Sequence, residues 1–544
     1  MLFQKLCLIL ASAVLATGCA RGTTPRQQAD VEDQAPQSIS RDGVFELTFT
    51  HNGRYDNPFS DVTVEAVFTS PSGSTRRVRG FFEGGNQWKV RFVPNEAGRW
   101  EYSSVFRTDT GVRDERHDSF MCADDHGDGA VRRHAQNPYV WALDNGKLYF
   151  PVGLNDCFDL NGTQFRRPAI DGEGRTDAPH TVTLDEYFAM YGAAGFNLLR
   201  FSQQNCSYSL HDHLARYRVA ESRATDTLLV TARRHGMRVM FGLFGFHESR
   251  PKNAPLTRTA DLDLIEREKR FIDYAGARWG AYVDFWELLN ERDASDEWTT
   301  TIANHVRSVD PYARPITTSW PKPHLASIDI NAPHWYETED ERTSDLRVFE
   351  EARTWKAAGK PVIVGEQGNT GMNWDPQSGR RMRLRTWTAL FQEIGLVFWN
   401  TSWSKAGMFY GQSNTTGAAA NIYLGPEERG YIRVLHDFSA RLDAGVRMSA
   451  VENSLPDAVR GYALRSDTVA AAYLHHFADH ASTVGGLHIT MEFPPHGTAG
   501  GELAGEWIDP STGSVVETVR LHPGRQTVNV PPFTIDLALL ATSR

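Results

Sequence analysis

The chain has 544 residues, 40% of them hydrophobic and 23% charged, and its 57 Lys and Arg against 67 Asp and Glu give a formal net charge of −10. This composition is typical of a packed globular protein and excludes a disordered one. It also argues against a nucleic-acid partner, because phosphate binding needs a clustered basic face. Only the N-terminus carries an apolar stretch approaching membrane length, which excludes a protein with several membrane spans. At about 150 residues per domain, the length predicts three or four domains.

Residues 1–19 predict an export signal, because Lys5 precedes an apolar run from Leu6 to Leu15 and small residues follow before Cys19. The run Leu15-Ala-Thr-Gly-Cys19 resembles the cleavage box of bacterial lipoproteins, in which the cysteine becomes the lipidated first residue. By resemblance to Gram-negative lipoproteins, Ala20 after that cysteine implies an anchor in the outer membrane, facing the periplasm or the cell surface. A cleaved soluble signal and an uncleaved anchor helix are the alternatives.

Residues 20–40 are rich in Gln, Thr, Pro, Asp and Ala, and they predict a flexible linker. Of the five cysteines, Cys7 and Cys19 belong to the export signal, and the other three show no metal-ligand spacing. In the barrel predicted below, Cys157 and Cys206 follow adjacent strands and could pair in an oxidising compartment. The alternative is that these two and Cys122 are buried thiols.

Residues 41–122 predict an antiparallel β-sandwich, because short runs of alternating apolar and polar residues, such as Val62–Phe68, are separated by turn residues. The stretch from Pro94 to Tyr102 (PNEAGRWEY) resembles an edge of the immunoglobulin-like domains that precede polysaccharide-degrading barrels. The same alternation returns over residues 446–544 and predicts a second β-sandwich at the C-terminus.

Residues 123–445 alternate between buried strands and amphipathic helices, which predicts an α/β domain. The expected strands are Tyr149–Leu154, Asn197–Phe201, Arg238–Leu243, Val283–Leu289, Pro315–Ser319, Ile328–His334, Pro361–Gly365 and Gly395–Asn400. The expected helices begin at the capping box Thr183–Glu186 and continue with Ala220–Arg234, Leu262–Ala275, Trp298–Val309, Leu346–Ala357, Met382–Ile394 and Tyr431–Leu442. Eight such units fit a (β/α)8 TIM barrel. The alternative is an open doubly wound sheet, but no glycine-rich phosphate loop follows the first strand.

Two carboxylates stand where the active site of such a barrel is built, at the C-terminal ends of strands. The fourth strand runs into Asn290 and Glu291, and the seventh ends in Glu366. A carboxylate at the end of a buried strand is unfavourable unless it is solvated, paired or used. Two of them at these strand ends face each other across the barrel mouth. The alternative is that both are salt-bridge partners there.

This pattern resembles the clan A glycoside hydrolases, whose fourth strand ends in Asn-Glu and whose seventh ends in Glu. The resemblance implies that Glu291 is the general acid/base and Glu366 the nucleophile of a retaining double displacement, with carboxyl groups about 5–5.5 Å apart. We expect the charge of Glu366 to keep Glu291 protonated near neutral pH. Asp293 lies beyond the strand and is not expected to be catalytic. Glu287 is expected to be a buried structural carboxylate.

Other positions of the same pattern imply substrate-binding and positioning roles. The resemblance implies that Arg200 and Tyr336 hydrogen-bond the nucleophile, that Asn290 binds the sugar 2-hydroxyl, and that Trp399 or Trp403 lies under the sugar ring. The spacing leaves the choice between these two tryptophans open. Further polar residues at strand ends are expected to bind sugar hydroxyls or to support the residues that do; they are Asn155, Asp156, Gln203, His247 and His334.

The sequence therefore predicts a lipid-anchored retaining glycoside hydrolase that acts on an extracellular or periplasmic polysaccharide or oligosaccharide. We expect neither a cofactor nor a metal, and the partners expected are the carbohydrate and the outer membrane. Two alternatives are a carbohydrate-binding surface lipoprotein without turnover and a transglycosylase that remodels exopolysaccharide. The sugar, the linkage and the oligomeric state are left open.

Overall fold

The protein is a mixed α/β structure with one curled parallel sheet, as expected for the fold class. The computed structural model describes residues 38–125, 127–155, 158, 164–170, 176–203, 207–245, 262–370, 375–399, 424–452, 456–495 and 502–542. Four residues of the predicted site or anchor lie outside these ranges: Cys19, Asp156, His247 and Trp403. The two cysteines that could pair, Cys157 and Cys206, lie outside them as well. In the described part of the chain, no helix is both long and apolar enough to cross a membrane.

The first eight strands form two sheets around one shared aromatic core. Rings of Phe68 and Phe92 stack at 4.0 Å, and those of Phe45 and Phe120 at 4.1 Å. The sheet orders are β1-β8-β7-β3-β4 and β2-β6-β5, and β1 pairs parallel to β8. Cys122 is a buried thiol whose pKa burial raises to about 11. The strands are β1 (Ser38–Ile39), β2 (Phe45–Thr50), β3 (Val62–Thr69), β4 (Thr75–Arg79), β5 (Phe81–Gly84), β6 (Gln87–Phe92), β7 (Gly98–Thr108) and β8 (Gly111–Cys122).

The middle of the chain builds an eight-stranded sheet in the order β20-β19-β18-β15-β12-β23-β22-β21, with parallel pairing throughout. Its strands are nearly continuous apolar runs, as expected when helices cover a parallel sheet. The strands of this part of the chain, eight of which form the parallel sheet, are β9 (Val131–Arg133), β10 (Trp141–Leu143), β11 (Leu148–Tyr149), β12 (Val152–Asn155), β13 (Gln164–Ile170), β14 (Thr176–Thr183), β15 (Leu198–Ser202), β16 (His211–Asp212), β17 (Arg216–Tyr217), β18 (Arg238–Phe244), β19 (Phe285–Leu289), β20 (Ile316–Thr317), β21 (His334–Tyr336), β22 (Val362–Gly368) and β23 (Ile394–Trp399).

The predicted sixth strand, Ile328–His334, lies in the right place but is mostly not a strand. The backbone N–H of Asp329 donates to Ile316 O at 2.8 Å, and that of Asn331 donates to Pro361 O at 3.0 Å. These bonds link the segment to both neighbours, yet Pro333 has no N–H to donate, so regular pairing begins only at His334.

The helices of this region are α1 (Leu184–Ala193), α2 (Val219–Arg234), α3 (Leu262–Trp279), α4 (Asp296–Val309), α5 (Ser344–Trp355), α6 (Ser378–Phe391) and α7 (Pro426–Ser439). Several of these helices begin before the apolar residue at which they were predicted to start, because the first turn of a helix can be polar. In α4, the Ser295 hydroxyl accepts a hydrogen bond from the Trp298 N–H and caps the helix ahead of its first apolar residue.

The last strands form a six-stranded sheet in the order β24-β25-β26-β31-β28-β29 and a separate pair, β27-β30. They share an apolar core of their own. Buried ion pairs join this unit to the helices of the parallel sheet: Arg460 binds Asp345 and Arg383 binds Asp536. The strands are β24 (Arg447–Ser449), β25 (Val459–Arg465), β26 (Val469–His476), β27 (Leu487–Phe493), β28 (Leu503–Ile508), β29 (Val515–Leu521), β30 (Gly524–Val530) and β31 (Asp536–Thr542).

Candidate active site

The C-terminal ends of the parallel strands bring distant parts of the chain together. Asn155 of β12 pairs with Arg200 of β15, and His334 of β21 pairs with Glu366 of β22. Glu291 follows the end of β19 by two residues. The apolar strands determine how far these side chains lie from the protein core. Each strand is buried along its length, and its polar side chain comes at or just after its C-terminal end.

The two predicted catalytic carboxylates meet at this edge. One carboxylate oxygen of Glu291, one of Glu366 and a ring nitrogen of His334 all lie within 4.8 Å of one another. Their exposure differs, since the side chain of Glu366 is 8% exposed and that of Glu291 is 40% exposed. Glu366 is therefore fixed in the floor of the site, and Glu291 stands at its open side.

Three neutral or cationic donors hold Glu366. Its Oε1 accepts from Arg200 Nη1 at 2.6 Å and from Asn155 Nδ2 at 2.9 Å, and its Oε2 accepts from the hydroxyl of Tyr336. Burial is the largest influence on Tyr336, and with the charge of Glu366 it raises the pKa of that hydroxyl well above its usual value. Tyr336 therefore stays a neutral donor, and Glu366 is oriented through both of its oxygens.

Arg200 links the nucleophile position to the rest of the site. Its Nε and Nη2 bind Glu287 at 2.9 and 2.7 Å, and the same Nη2 donates to Asn290 Oδ1 at 2.5 Å. Burial disfavours the charge of Arg200, but the carboxylates of Glu287 and Glu366 outweigh burial and raise its pKa. Glu287 is thus a buried hydrogen-bonded carboxylate, and its function in the fold is to orient Arg200.

Asn290 is held by its oxygen end, which also accepts from the Ser319 hydroxyl at 3.2 Å. The amide nitrogen of the side chain carries two further donors. Ser319 accepts from the backbone N–H of Glu291 at 2.7 Å as well. Glu291 has a φ of +49°, a left-handed conformation that costs a non-glycine residue about 1–3 kcal/mol. Ser319 therefore helps to hold a strained residue.

His334 lies between the two carboxylates. Its Nδ1 is 2.9 Å from Glu291 Oε1 and 3.4 Å from Glu366 Oε2. Its Nε2 is buried and meets no hydrogen-bond partner among the residues that the structure describes. Of the two ring nitrogens, only Nδ1 faces the carboxylates.

The pKa of Glu291 is shifted in the direction opposite to the one expected from the charge of Glu366. The hydrogen bond from His334 is the largest influence and lowers the pKa of Glu291; partial burial opposes it, and the charge of Arg200 adds to the lowering. The expectation considered only repulsion from Glu366 and not the donor between the two carboxylates.

Two predicted sugar-binding residues are engaged elsewhere. Asn155 is 2% exposed and donates to Glu366, so it supports the nucleophile position. Gln203 is buried, its Nε2 donating to Leu243 O and its Oε1 accepting from the Leu210 N–H at 3.0 Å. Both ends of that amide are used by the backbone, so Gln203 braces a loop. Trp399 ends β23 and is 6% exposed, and the choice between it and Trp403 stays open.

Glu291, His334 and Glu366 also form a donor set of the kind that can hold a metal ion. Here, however, the Arg200 guanidinium lies 2.6 Å from Glu366, and both oxygens of Glu366 already accept hydrogen bonds. A cation at this point would face the positive charge of Arg200. The arrangement therefore fits proton transfer and nucleophilic attack better than metal binding.

Ser319 and Trp320 were not among the residues predicted for the site. They follow β20, and the strand-end rule that pointed to Glu291 and Glu366 applies to them equally. The available indication was the pair itself, a polar residue followed by a large aromatic one after a short buried strand.

Comparison with known proteins adds three findings. Residues 40–107 match the model of a domain of unknown function, DUF5060. No curated protein matches the chain. Among solved structures, one similar to the chain is described as a "putative glycoside hydrolase" from Bacteroides vulgatus ATCC 8482, with 17% identity, a TM-score of 0.65, and coverage of 93% of this chain and 100% of that one.

Two further solved structures resemble the chain more distantly. A family 39 glycoside hydrolase from Bacteroides cellulosilyticus WH2 has 11% identity, a TM-score of 0.42, and coverage of 94% and 100%. A GH30 endoxylanase from Clostridium papyrosolvens C71 has 13% identity, a TM-score of 0.41, and coverage of 72% and 100%. The fold is thus shared with the Bacteroides vulgatus protein, and the activity has to be argued from the site.

Proposed function

We propose that the protein is a retaining glycoside hydrolase, with Glu366 as nucleophile and Glu291 as general acid/base. The observation that carries the proposal is the short distance between the two carboxylates, whose nearest oxygens lie within 4.8 Å. Retaining enzymes need about 5–5.5 Å between these groups, whereas inverting enzymes need about 6.5–9.5 Å to admit a water. The distance therefore favours direct attack by one carboxylate.

In the first step, a carboxylate oxygen of Glu366 attacks the anomeric carbon while the glycosidic bond breaks. Glu291 gives its proton to the departing oxygen, so the leaving sugar departs neutral. The contacts from Arg200, Asn155 and Tyr336 orient Glu366 for this attack.

In the second step, the Glu291 carboxylate takes a proton from a water molecule. That water attacks the same anomeric carbon and releases Glu366, so two inversions give net retention. In this mechanism the amide nitrogen of Asn290 donates to the sugar 2-hydroxyl, a contact that strengthens as the ring gains oxocarbenium character.

The remaining expectations are part of the same proposal. We propose a closed (β/α)8 barrel over residues 123–445 between β-sandwiches at 41–122 and 446–544, and export as an outer-membrane lipoprotein modified at Cys19. The two apolar cores at the ends of the chain and the run Leu15–Cys19 support this organisation. Labelling cells with a radioactive fatty acid tests the anchor: Cys19→Ala should remove the label, and a retained label would contradict the assignment.

The test of the catalytic proposal starts with a screen of glycans and aryl glycosides against the protein lacking residues 1–37. Glu366→Ala should lose turnover of every substrate that the parent cleaves. Azide should restore part of the activity and give a glycosyl azide of inverted configuration, because the small anion fills the place of the missing carboxylate.

Glu266→Ala is the matched control, since it removes a solvent-exposed carboxylate on α3, remote in sequence from the site. It should behave as the parent does. A parent protein that cleaves no glycan or aryl glycoside, or a Glu366→Ala variant with full activity, would overturn the proposal.

A further inference from the structure

Trp320 is the one exposed aromatic side chain among the residues that the structure describes. It is 51% exposed, and the other large apolar side chains with comparable exposure are aliphatic. Leaving an indole in water forgoes about 25 cal/mol for each Å² of apolar surface that burial would have removed. An exposed tryptophan beside a candidate active site therefore suggests a ligand that covers it.

Trp320 is held close to Glu291 by the residue that precedes it in the chain. The preceding residue, Ser319, accepts from the Glu291 N–H at 2.7 Å, and its own N–H donates to Leu289 O at 3.2 Å. With 3.8 Å between successive Cα atoms, the Trp320 Cα lies within roughly 9 Å of the Glu291 nitrogen.

The segment after Trp320 is tied to the same region. Lys322 Nζ binds Asp293 at 3.3 Å and Asp296 at 3.0 Å, and His324 Nε2 lies 2.8 Å from Asp296. The two acidic residues belong to the segment that follows Glu291. The tryptophan is therefore flanked by attachments to the strand and loop that present the general acid, and its loop has little freedom to move away.

We propose that Trp320 is the stacking platform for the sugar on the leaving-group side of the scissile bond. The general acid stands beside the departing oxygen, so side chains around Glu291 face the leaving group, whereas Arg200 and Asn155 surround the nucleophile. An indole face is suited to the apolar face of a sugar ring, as aromatic residues in ligand sites are. This inference rests on the proposed glycosidase activity.

The test compares Trp320→Ala and Trp320→Phe with the parent on two substrates of the sugar found by the screen. One is an oligosaccharide, whose leaving group is a sugar, and the other is the glycosyl fluoride, whose leaving group is a fluoride ion. Trp320→Ala should lower kcat/KM for the oligosaccharide about tenfold and leave that for the glycosyl fluoride within about twofold, because only the first substrate places a ring on the platform. Trp320→Phe should recover most of the loss.

A second readout uses the glycosyl-enzyme. With the glycosyl fluoride as donor and a sugar acceptor added, Trp320→Ala should transfer less glycosyl to the acceptor and more to water, while the rate of fluoride release stays unchanged. Equal loss on both substrates, or unchanged activity on the oligosaccharide and unchanged transfer, would overturn the platform while leaving the glycosidase intact. A parent enzyme without turnover would overturn both.

Discussion

His334 controls the proton of Glu291, and its removal should move the alkaline limb of the pH–rate profile upward. In the free enzyme, the hydrogen bond from His334 lowers the pKa of Glu291, and the first step needs Glu291 protonated. The parent should therefore work best on the acid side of neutral, with kcat/KM falling as pH rises through the lowered pKa. His334→Ala removes the donor, so the pKa should rise and the fall should occur at higher pH.

The size of the shift follows from the contact. A hydrogen bond to a charged group contributes about 1.5–3 kcal/mol, and one pKa unit corresponds to about 1.4 kcal/mol, which gives roughly one to two units. Because the Glu291 side chain is 40% exposed, water replaces part of the lost bond, and the lower end applies. We expect an upward shift of about one pH unit.

The assay is kcat/KM for an oligosaccharide between pH 2.5 and 8, a range that includes pH values below the usual Glu pKa of 4.5, and this parameter reports the free enzyme. His334→Asn should keep much of the parental profile, because an amide nitrogen can donate from nearly the same place as Nδ1. His117→Ala, which removes an exposed histidine paired with Glu115 on β8, is the matched control. An alkaline limb that stays in place or moves to lower pH in His334→Ala would refute the reasoning.

Three further predictions test other parts of the site and the fold. Glu291→Ala should retain far more activity on activated aryl glycosides than on natural linkages, because good leaving groups need no proton. Equal losses of kcat/KM on the two kinds of substrate would count against the role of Glu291 as the acid. Glu287→Gln should lower kcat about 100-fold with little change in KM, because Arg200 loses the carboxylate that orients it and Glu366 shifts with it. Steady-state kinetics that show only a higher KM would indicate a role in sugar binding instead. Asp345→Asn should lower the free energy of unfolding by about 3 kcal/mol at pH 7 in urea denaturation, because it leaves the Arg460 charge poorly paired. Asp345 is buried, which opposes its charge, but hydrogen bonds from His475 and Arg460 lower its pKa below the usual 3.8. Its contribution is thus present above about pH 4 and lost as pH falls further, so the gap between parent and variant should narrow in acid.

The strands and the two carboxylates could be predicted because one physical rule governs both. A parallel strand is apolar along its whole length, so the first polar residue marks its end, and Glu291 and Glu366 stand out at that point. The rule fails where proline interrupts strand pairing, as at Pro333. The apolar pattern also misplaces the start of a helix whose first residues are polar, as at Asp296 of α4.

The contacts among polar side chains could not be predicted from strand ends alone. Asn155 and Gln203 stand at such ends, yet one turns to Glu366 and the other to backbone groups. Position along a strand does not fix the direction of an amide, which depends on donors and acceptors contributed by other strands. The same holds for Glu287, whose partner Arg200 lies 87 residues away in the chain.

The hydrogen bond between His334 and Glu291 also joins residues that are distant in the chain. They are 43 positions apart, on either side of the loop that carries Trp320. The spacing of sequence motifs gave the strand order but not the distance between these two groups. The consequence, a lowered pKa for the general acid, therefore became visible only with the positions of all three side chains.

The central claim, a covalent bond between Glu366 and the sugar, is tested most directly by trapping that intermediate. Incubation with a 2-deoxy-2-fluoro glycoside of the cleaved sugar slows release of the glycosyl-enzyme, and mass spectrometry of the digested protein locates the added mass. We predict one glycosyl group per chain on the peptide containing Glu366. Turnover of the natural substrate with no trapped adduct, or an adduct on Glu291, would contradict the account.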